Sequence, residues 1–164
     1  MKTPRANGFR DAWCGDIDAA RVGDTVRVAG WVHRRRDHGG LIFIDLRDRA
    51  GLVQLVFHPD SSGAAFALAE RLRSEHVVSV SAQVVRRAEG QVNPNLPTGE
   101  IELQVLTCDA LASSETPPFA IDEDSFVDET TRLKYRWLDL RRDGMREAME
   151  LRALITSTDR KSVV

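Results

Sequence analysis

Residues 30–60 read GWVHRRRDHGGLIFIDLRDRAGLVQLVFHPD, and most of the fold follows from this run. Ile42, Ile44 and Leu46 alternate with Phe43, Asp45 and Arg47, the period-two pattern of a half-buried strand over 41–48. Gly39-Gly40 before it and Ala50-Gly51 after it are turn signals. Residues 52–57, LVQLVF, then form a third strand, and 25–37 a first one with Val26 and Val28 on one face. A bend is expected near Gly30, because a glycine inside a strand marks a kink, a bulge or a close backbone approach.

Further along, the period changes. Phe66, Leu68, Ala69 and Leu72 recur at helical spacing over 62–73, with Ser61-Ser62-Gly63 as the expected cap. Alternation returns at 77–85, VVSVSAQVV, as a fourth strand. Residues 88–99 are rich in Gly, Asn and Pro and read as a loop, and 100–106, EIELQVL, as a fifth strand. Three strands, a helix and two strands is the order of an all-β OB-fold barrel. In that fold the face of strands two and three, with the 1–2 and 4–5 loops, binds oligonucleotides. Strand count alone also admits a small SH3-like barrel; the helix between strands three and four argues against it.

The flanks differ in character. Residues 1–12 read as a loose extension and 13–112 as the barrel domain. Residues 113–130 hold six acidic residues and no Lys or Arg, which reads as a linker repelled by phosphate. From 131 the pattern is helical again, through LKYRWLDLRR and MREAMELRALI.

The whole chain carries a formal charge of -2, whereas general nucleic-acid binders are usually basic, so any such site must be a local patch. Cys14 and Cys108 match no metal spacing and read as reduced thiols. No HExxH, GxSxG or phosphate-binding glycine loop is present, and His33, His38, His58 and His76 are scattered. No catalytic residue, metal site or resident cofactor is therefore expected. Met1–Gly15 has no apolar run of a signal peptide, and no stretch approaches the ~20 apolar residues of a membrane span. The expected location is the cytoplasm, with no membrane partner.

Binding features concentrate in the opening run. Arg34-Arg35-Arg36 ends the first strand, and 25–57 holds six Arg against three Asp. This is either a solvated strand end with surface ion pairs or a phosphate-binding cluster. Phe43 falls by alternation on the polar face of the second strand. It is either covered by a neighbouring loop or is a stacking platform for an unpaired base. Gln54, between Val53 and Leu55, offers both a donor and an acceptor to a base edge.

The 30–60 run closely resembles the anticodon-binding domain of bacterial aspartyl-tRNA synthetases, as do CGDIDAARVGDTVRVAGW before it and NPNLPTGEIEL after it. LKYRWLDLRR at 133–142 resembles the stretch ahead of the first class II synthetase motif. The resemblance implies that Phe43 stacks on the middle anticodon base, a uridine, and that Gln54 hydrogen-bonds it. It implies that Glu102 reads a guanine-type first base, that Arg36, within the 34–36 cluster, contacts backbone and base, and that Asn93 and Gln91 approach the third base. His38 and Gly90 resemble the form of the family that charges both aspartate and asparagine tRNA. The implied full-length protein is a homodimeric aspartate–tRNA ligase using ATP and Mg²⁺. Residues 131–157 would then be the start of its catalytic domain, cut short, and 158–164 an atypical tail. This chain would be inactive alone, since the second and third class II motifs are missing. Two rival functions remain: a free-standing OB module for single-stranded nucleic acid without base preference, and a non-catalytic module that uses the barrel for protein contacts.

Overall fold

The computed structural model describes residues 7–60, 63–121 and 126–161. The chain forms two compact units that meet in sequence between Thr116 and Pro117. In the first, strands β1 (Thr25–Asp37), β2 (Ile42–Arg47), β3 (Leu52–Phe57), β4 (Val77–Arg86) and β5 (Ile101–Ala112) close into a barrel in the order β1-β2-β3-β5-β4. Helix α1 (Gly63–Ala69) joins β3 to β4. All pairs are antiparallel except β3 with β5, which run parallel.

The barrel core follows from the alternation. Val26, Val28, Val32, Ile42, Ile44, Leu46, Val53, Leu55, Val78, Val80, Ala82, Val84, Ile101 and Leu103 all point inward and are buried. Closure leaves no free edge to the sheet, which removes the edge-pairing hazard of an open one. Gly30 sits where a β-carbon would overlap the carbonyl oxygen of Arg47, so its role is close approach of β1 to β2. The register shift lies just beyond it, between Val32 and Arg34. His33 is the extra residue, and the bulge reverses the facing of everything that follows. Arg36 thereby pairs with Phe43 and Arg34 with Asp45 on the outer face, while Arg35 pairs with Ile44. Arg35 instead donates through Nε to the carbonyl of Ala69 at the end of α1.

Three elements differ from the sequence reading. Residues 7–12 are tied down: the Asp11 and Ala12 amides donate to the Arg27 carbonyl, Ser79 Oγ donates to the Phe9 carbonyl, and Ala12 is buried. Helix α1 stops at Ala69, although Leu72 stays buried; the Ser61-Ser62 part of its expected cap lies outside the described residues. Strand β5 runs on to Ala112, because β4 continues to pair with it past a second register shift.

The second unit holds α2 (Glu129–Lys134), α3 (Arg136–Asp139) and α4 (Asp143–Lys161). The Asp128 carboxylate accepts from the Thr130 and Thr131 amides and caps α2. Phe119 and Ile121, inside the segment read as an acidic linker, are buried with Leu138 in a small core of their own. Asp122, Glu123 and Asp124 of that segment, residues 1–6 of the extension and 162–164 of the tail lie outside the described residues. The Asp139 side chain is fully enclosed and is held by Arg132 at 2.9 Å and Arg136 at 2.6 Å.

Candidate nucleic-acid interface

A groove of about 530 Å³ runs over the outer face of the barrel, lined by Arg36, His38, Leu41, Phe43, Gln54, Arg87, Gln91, Asn93 and Glu102. Arg36, Phe43, Gln54 and Glu102 reach it from the strands, and His38, Gln91 and Asn93 from the β1–β2 and β4–β5 loops. Phe43 and Gln54 occupy outward positions on β2 and β3, both half-buried, in a register that pairs Asp45 with Gln54. The parallel pairing of Leu55 with Leu103 brings Gln54 alongside Glu102, one residue earlier on each strand. Val85 pairs with Glu102, so Arg87, two residues beyond Val85, follows on the same face.

Asp45, Arg36, Gln54 and Glu102 form a hydrogen-bonded chain across the face, with Arg87 beside its end. Arg36 donates through one Nη2 to Asp45 Oδ1 at 2.7 Å and to Gln54 Oε1 at 3.4 Å. Gln54 Nε2 donates to Glu102 Oε2 at 3.4 Å. Arg87 donates through Nε to the Ile101 carbonyl at 2.9 Å and through Nη1 to the Gln91 carbonyl at 3.5 Å. Its Nη2 is buried with no hydrogen-bond partner. Burial pushes the Glu102 carboxyl above its usual value, against the opposing pull of Arg87, His58 and the Gln54 hydrogen bond. Burial likewise lowers the Arg87 guanidinium, although Glu102 and Asp45 favour its charge. Desolvation thus exceeds pairing at both groups, and both carry unspent hydrogen-bonding capacity in a partly dry groove.

The apolar side of the groove is built around Phe43. The His38 ring meets it in a T-shaped arrangement, with centroids 5.6 Å apart and planes at 76°. His38 sits in the β1–β2 loop, where its amide donates to the Leu41 carbonyl and Gly39 and Gly40 take left-handed backbone at φ +61 and +110. Across the groove, the Asn93 amide donates to the Gly99 carbonyl, and Asn93 Oδ1 accepts from the Asn95 amide. That loop needs Gly99, because a β-carbon there would overlap the Asn93 carbonyl.

Of the residues singled out from sequence, Arg36, His38, Phe43, Gln54, Gln91, Asn93 and Glu102 line one groove. Arg34 and Gly90 do not. Arg34 is exposed on the same outer face. Gly90 is exposed in open space at φ +85, so its first demand is a backbone that side chains rarely adopt. Leu41, Asp45 and Arg87 were missed. Leu41 and Asp45 share the parity of Phe43 and were legible on that ground; Arg87 becomes visible only once the β4–β5 register is known. Among the described residues no group of three His, Cys, Asp or Glu side chains could hold a metal ion, and no helix is long and apolar enough to cross a membrane.

Comparison with known proteins agrees with this geometry. Residues 26–110 match the tRNA-anticodon family, described as an OB-fold nucleic acid binding domain. The chain is 58% identical over 147 residues to an aspartate–tRNA(Asp/Asn) ligase of Rubrobacter xylanophilus, covering 90% of this chain and 24% of that protein. It is 52% identical over 151 residues to an aspartate–tRNA ligase of Geobacillus kaustophilus, covering 92% and 26%. Among solved structures, asparaginyl-tRNA synthetase from Pyrococcus horikoshii with asparaginyl-adenylate superposes with a TM-score of 0.76 at 25% identity, over 93% of this chain and 33% of that one. The chain spans about a quarter of the length of the curated relatives it matches. With a closed five-stranded barrel, a groove on its β2–β3 face and this match over more than half its length, the chain belongs to the tRNA-anticodon family of OB-fold nucleic acid binding domains.

Proposed function

We propose that this chain reads the anticodon of aspartate tRNA, and of asparagine tRNA as well, as the recognition part of an aspartate–tRNA ligase. One observation carries the reading: a half-buried aromatic ring, a desolvated carboxylate and an arginine with one buried nitrogen lacking a partner line one groove. A flat, polar-edged, uncharged ligand satisfies all three, and an unpaired nucleobase has that chemistry. Phe43 stacks on the middle uridine and Gln54 meets its edge. Glu102 accepts from both N–H groups on the Watson–Crick edge of a first-position guanine, and the Arg87 guanidinium beside it supplies a donor for its O6. Gln91, Asn93 and His38 approach the third base, and Gly90 leaves that side uncrowded. Arg36 contributes to base and backbone, and exposed Arg34 to a phosphate.

The whole protein's chemistry belongs to the same proposal. It is a soluble, cytoplasmic, homodimeric class II enzyme that activates aspartate with ATP and Mg²⁺. This chain supplies the recognition. The test is binding to aspartate, asparagine and unrelated tRNA transcripts, side by side at one salt concentration, because phosphate contacts shift all affinities together. The expected result is comparable affinity for the first two and binding at least tenfold weaker, about 1.4 kcal/mol, for the third. Equal binding to all three would instead favour a module without base preference, and no binding a protein-contact module.

A further inference from the structure

Asp45 does not itself line the groove, yet through Arg36, which does, it anchors a chain of contacts running to Gln54 and Glu102. It is 8% exposed and faces outward from β2 directly opposite Gln54. Its carboxylate holds Arg36 at 2.7 Å, and the same Arg36 nitrogen donates to Gln54 Oε1. At the other end of the amide, Gln54 Nε2 donates to Glu102. A glutamine amide has two acceptor lone pairs and two N–H donors, and turning it by half a rotation exchanges them. Here the exchange would set an N–H against the Arg36 donor and an oxygen against the Glu102 carboxylate. Both contacts would become repulsive, so the amide has one orientation.

That orientation leaves one free lone pair on Oε1 and one free N–H on Nε2. The edge of uracil offers an N3–H donor beside a carbonyl acceptor and matches this pair. Cytosine offers an N3 acceptor beside an amino donor, which a reversed amide would match equally well. A glutamine free to turn therefore accepts either pyrimidine, and a locked one selects uracil.

We propose that Asp45 is a positioning residue that makes the groove selective for uracil over cytosine at the base stacked on Phe43, by holding Arg36 against Gln54 and so preventing the amide from turning. The inference rests on the anticodon-reading proposal above. It has a second consequence. Arg36 and Arg87 are balanced by Asp45 and Glu102, so the groove is locally neutral, and removing the Asp45 charge frees Arg36 for any nearby phosphate. Selectivity falls while non-selective affinity holds or rises. A residue needed only for folding would lower all affinities together.

The experiment measures binding of the chain, its Asp45→Asn and its Asp45→Glu variants to three stem-loops at one salt concentration. Two are aspartate anticodon stem-loops with uridine or cytidine at the middle position, and the third has an unrelated loop. Thermal melting of each protein is recorded alongside. The wild type is expected to prefer uridine by tenfold or more. Asp45→Asn is expected to reduce that preference to threefold or less, with unrelated-loop binding unchanged or tighter. Asp45→Glu, which keeps the charge, is expected to retain most of the preference. The proposal is overturned if Asp45→Asn keeps the wild-type ratio, or if both variants lose affinity for all three loops in equal proportion to their loss of folded protein. A wild type that binds all three loops alike would instead remove the anticodon reading on which the inference stands.

Discussion

The His38 and Phe43 rings meet in a T-shaped pair, joining the β1–β2 loop to the aromatic centre of the groove. The contact ties the loop to the Phe43 ring, the proposed stacking platform, since such an aromatic pair contributes about 0.5–1.5 kcal/mol beyond its buried area. Phe43→Ala is expected to weaken anticodon stem-loop binding by ~1–3 kcal/mol, the range for one base–aromatic stack, with thermal melting little changed because Phe43 faces outward. His38→Ala is expected to weaken binding less, and to have almost no further effect in the Phe43→Ala background. A double-mutant cycle reads this coupling. A steep drop in melting with unchanged binding per folded molecule would make Phe43 a core residue.

The proposed tolerance at the third base rests on two loop residues, His38 in the groove and Gly90 beside it. Gly90 presents no side chain, and His38 donates or accepts according to its tautomer. Rejecting one of two pyrimidines takes a polar group matched to one edge, where a mismatch costs ~1–3 kcal/mol. Stem-loops ending the anticodon in cytidine and in uridine are therefore expected to bind within about tenfold, or about 1.4 kcal/mol. A hundredfold preference for the cytidine form would contradict this while leaving anticodon reading in place.

Acidity tests Glu102 directly. Burial raises its carboxyl above the ordinary value. Only the ionised form accepts from both guanine N–H groups, so affinity is expected to begin falling at a pH above the range where ordinary carboxylates titrate, near ~4.3. Glu102→Gln should abolish that inflection. The sign for stability is opposite. With the folded pKa above the unfolded one, this group's contribution to folding is fully present below the unfolded value and is lost as pH rises through the folded one. Binding titrations and melting curves over the same pH series separate the two effects. An affinity profile that is flat down to the ordinary carboxylate range would place Glu102 outside the binding surface.

Much of the barrel was legible because alternation is a strong signal where one face is buried. Residues 42, 44 and 46 against 43, 45 and 47 give β2 outright, and β1 and β3 follow from the turns beside it. Strand β5 was cut short because 107–112 are mostly exposed and carry no alternation; pairing with β4, not patterning, extends it. The extension at 7–12 looked loose because what holds it is hydrogen bonding to Arg27 and Ser79, which leaves no periodic trace. Phe119 and Ile121 were hidden in an acidic, proline-containing segment whose charge outweighed two buried apolar residues.

The site was legible in part for the same reason. Phe43 stood out as an aromatic on the polar face of its strand, and Gln54 as a polar residue between Val53 and Leu55. Asp45 is a charged residue on a strand face and Arg87 one just past the end of β4, and such residues usually mean only solvent. What distinguishes them is burial, an unpartnered nitrogen on one and a 2.7 Å ion pair on the other, and both depend on strand register. The His33 bulge was equally hidden. It decides which of three consecutive arginines faces the groove, and nothing in HRRR specifies its place.

The central claim is that the β2–β3 face holds the middle base of an anticodon. Photo-crosslinking tests it most directly, with 5-iodouridine at that position of an aspartate anticodon stem-loop and the attached peptide identified by mass spectrometry. A halogenated base stacked on an aromatic ring attaches to that ring, so the expected product is a β2 peptide modified at Phe43, lost in Phe43→Ala and competed away by the unmodified stem-loop but not by an unrelated one. Attachment outside β2, β3 and their flanking loops, or competition by any RNA alike, would contradict the account.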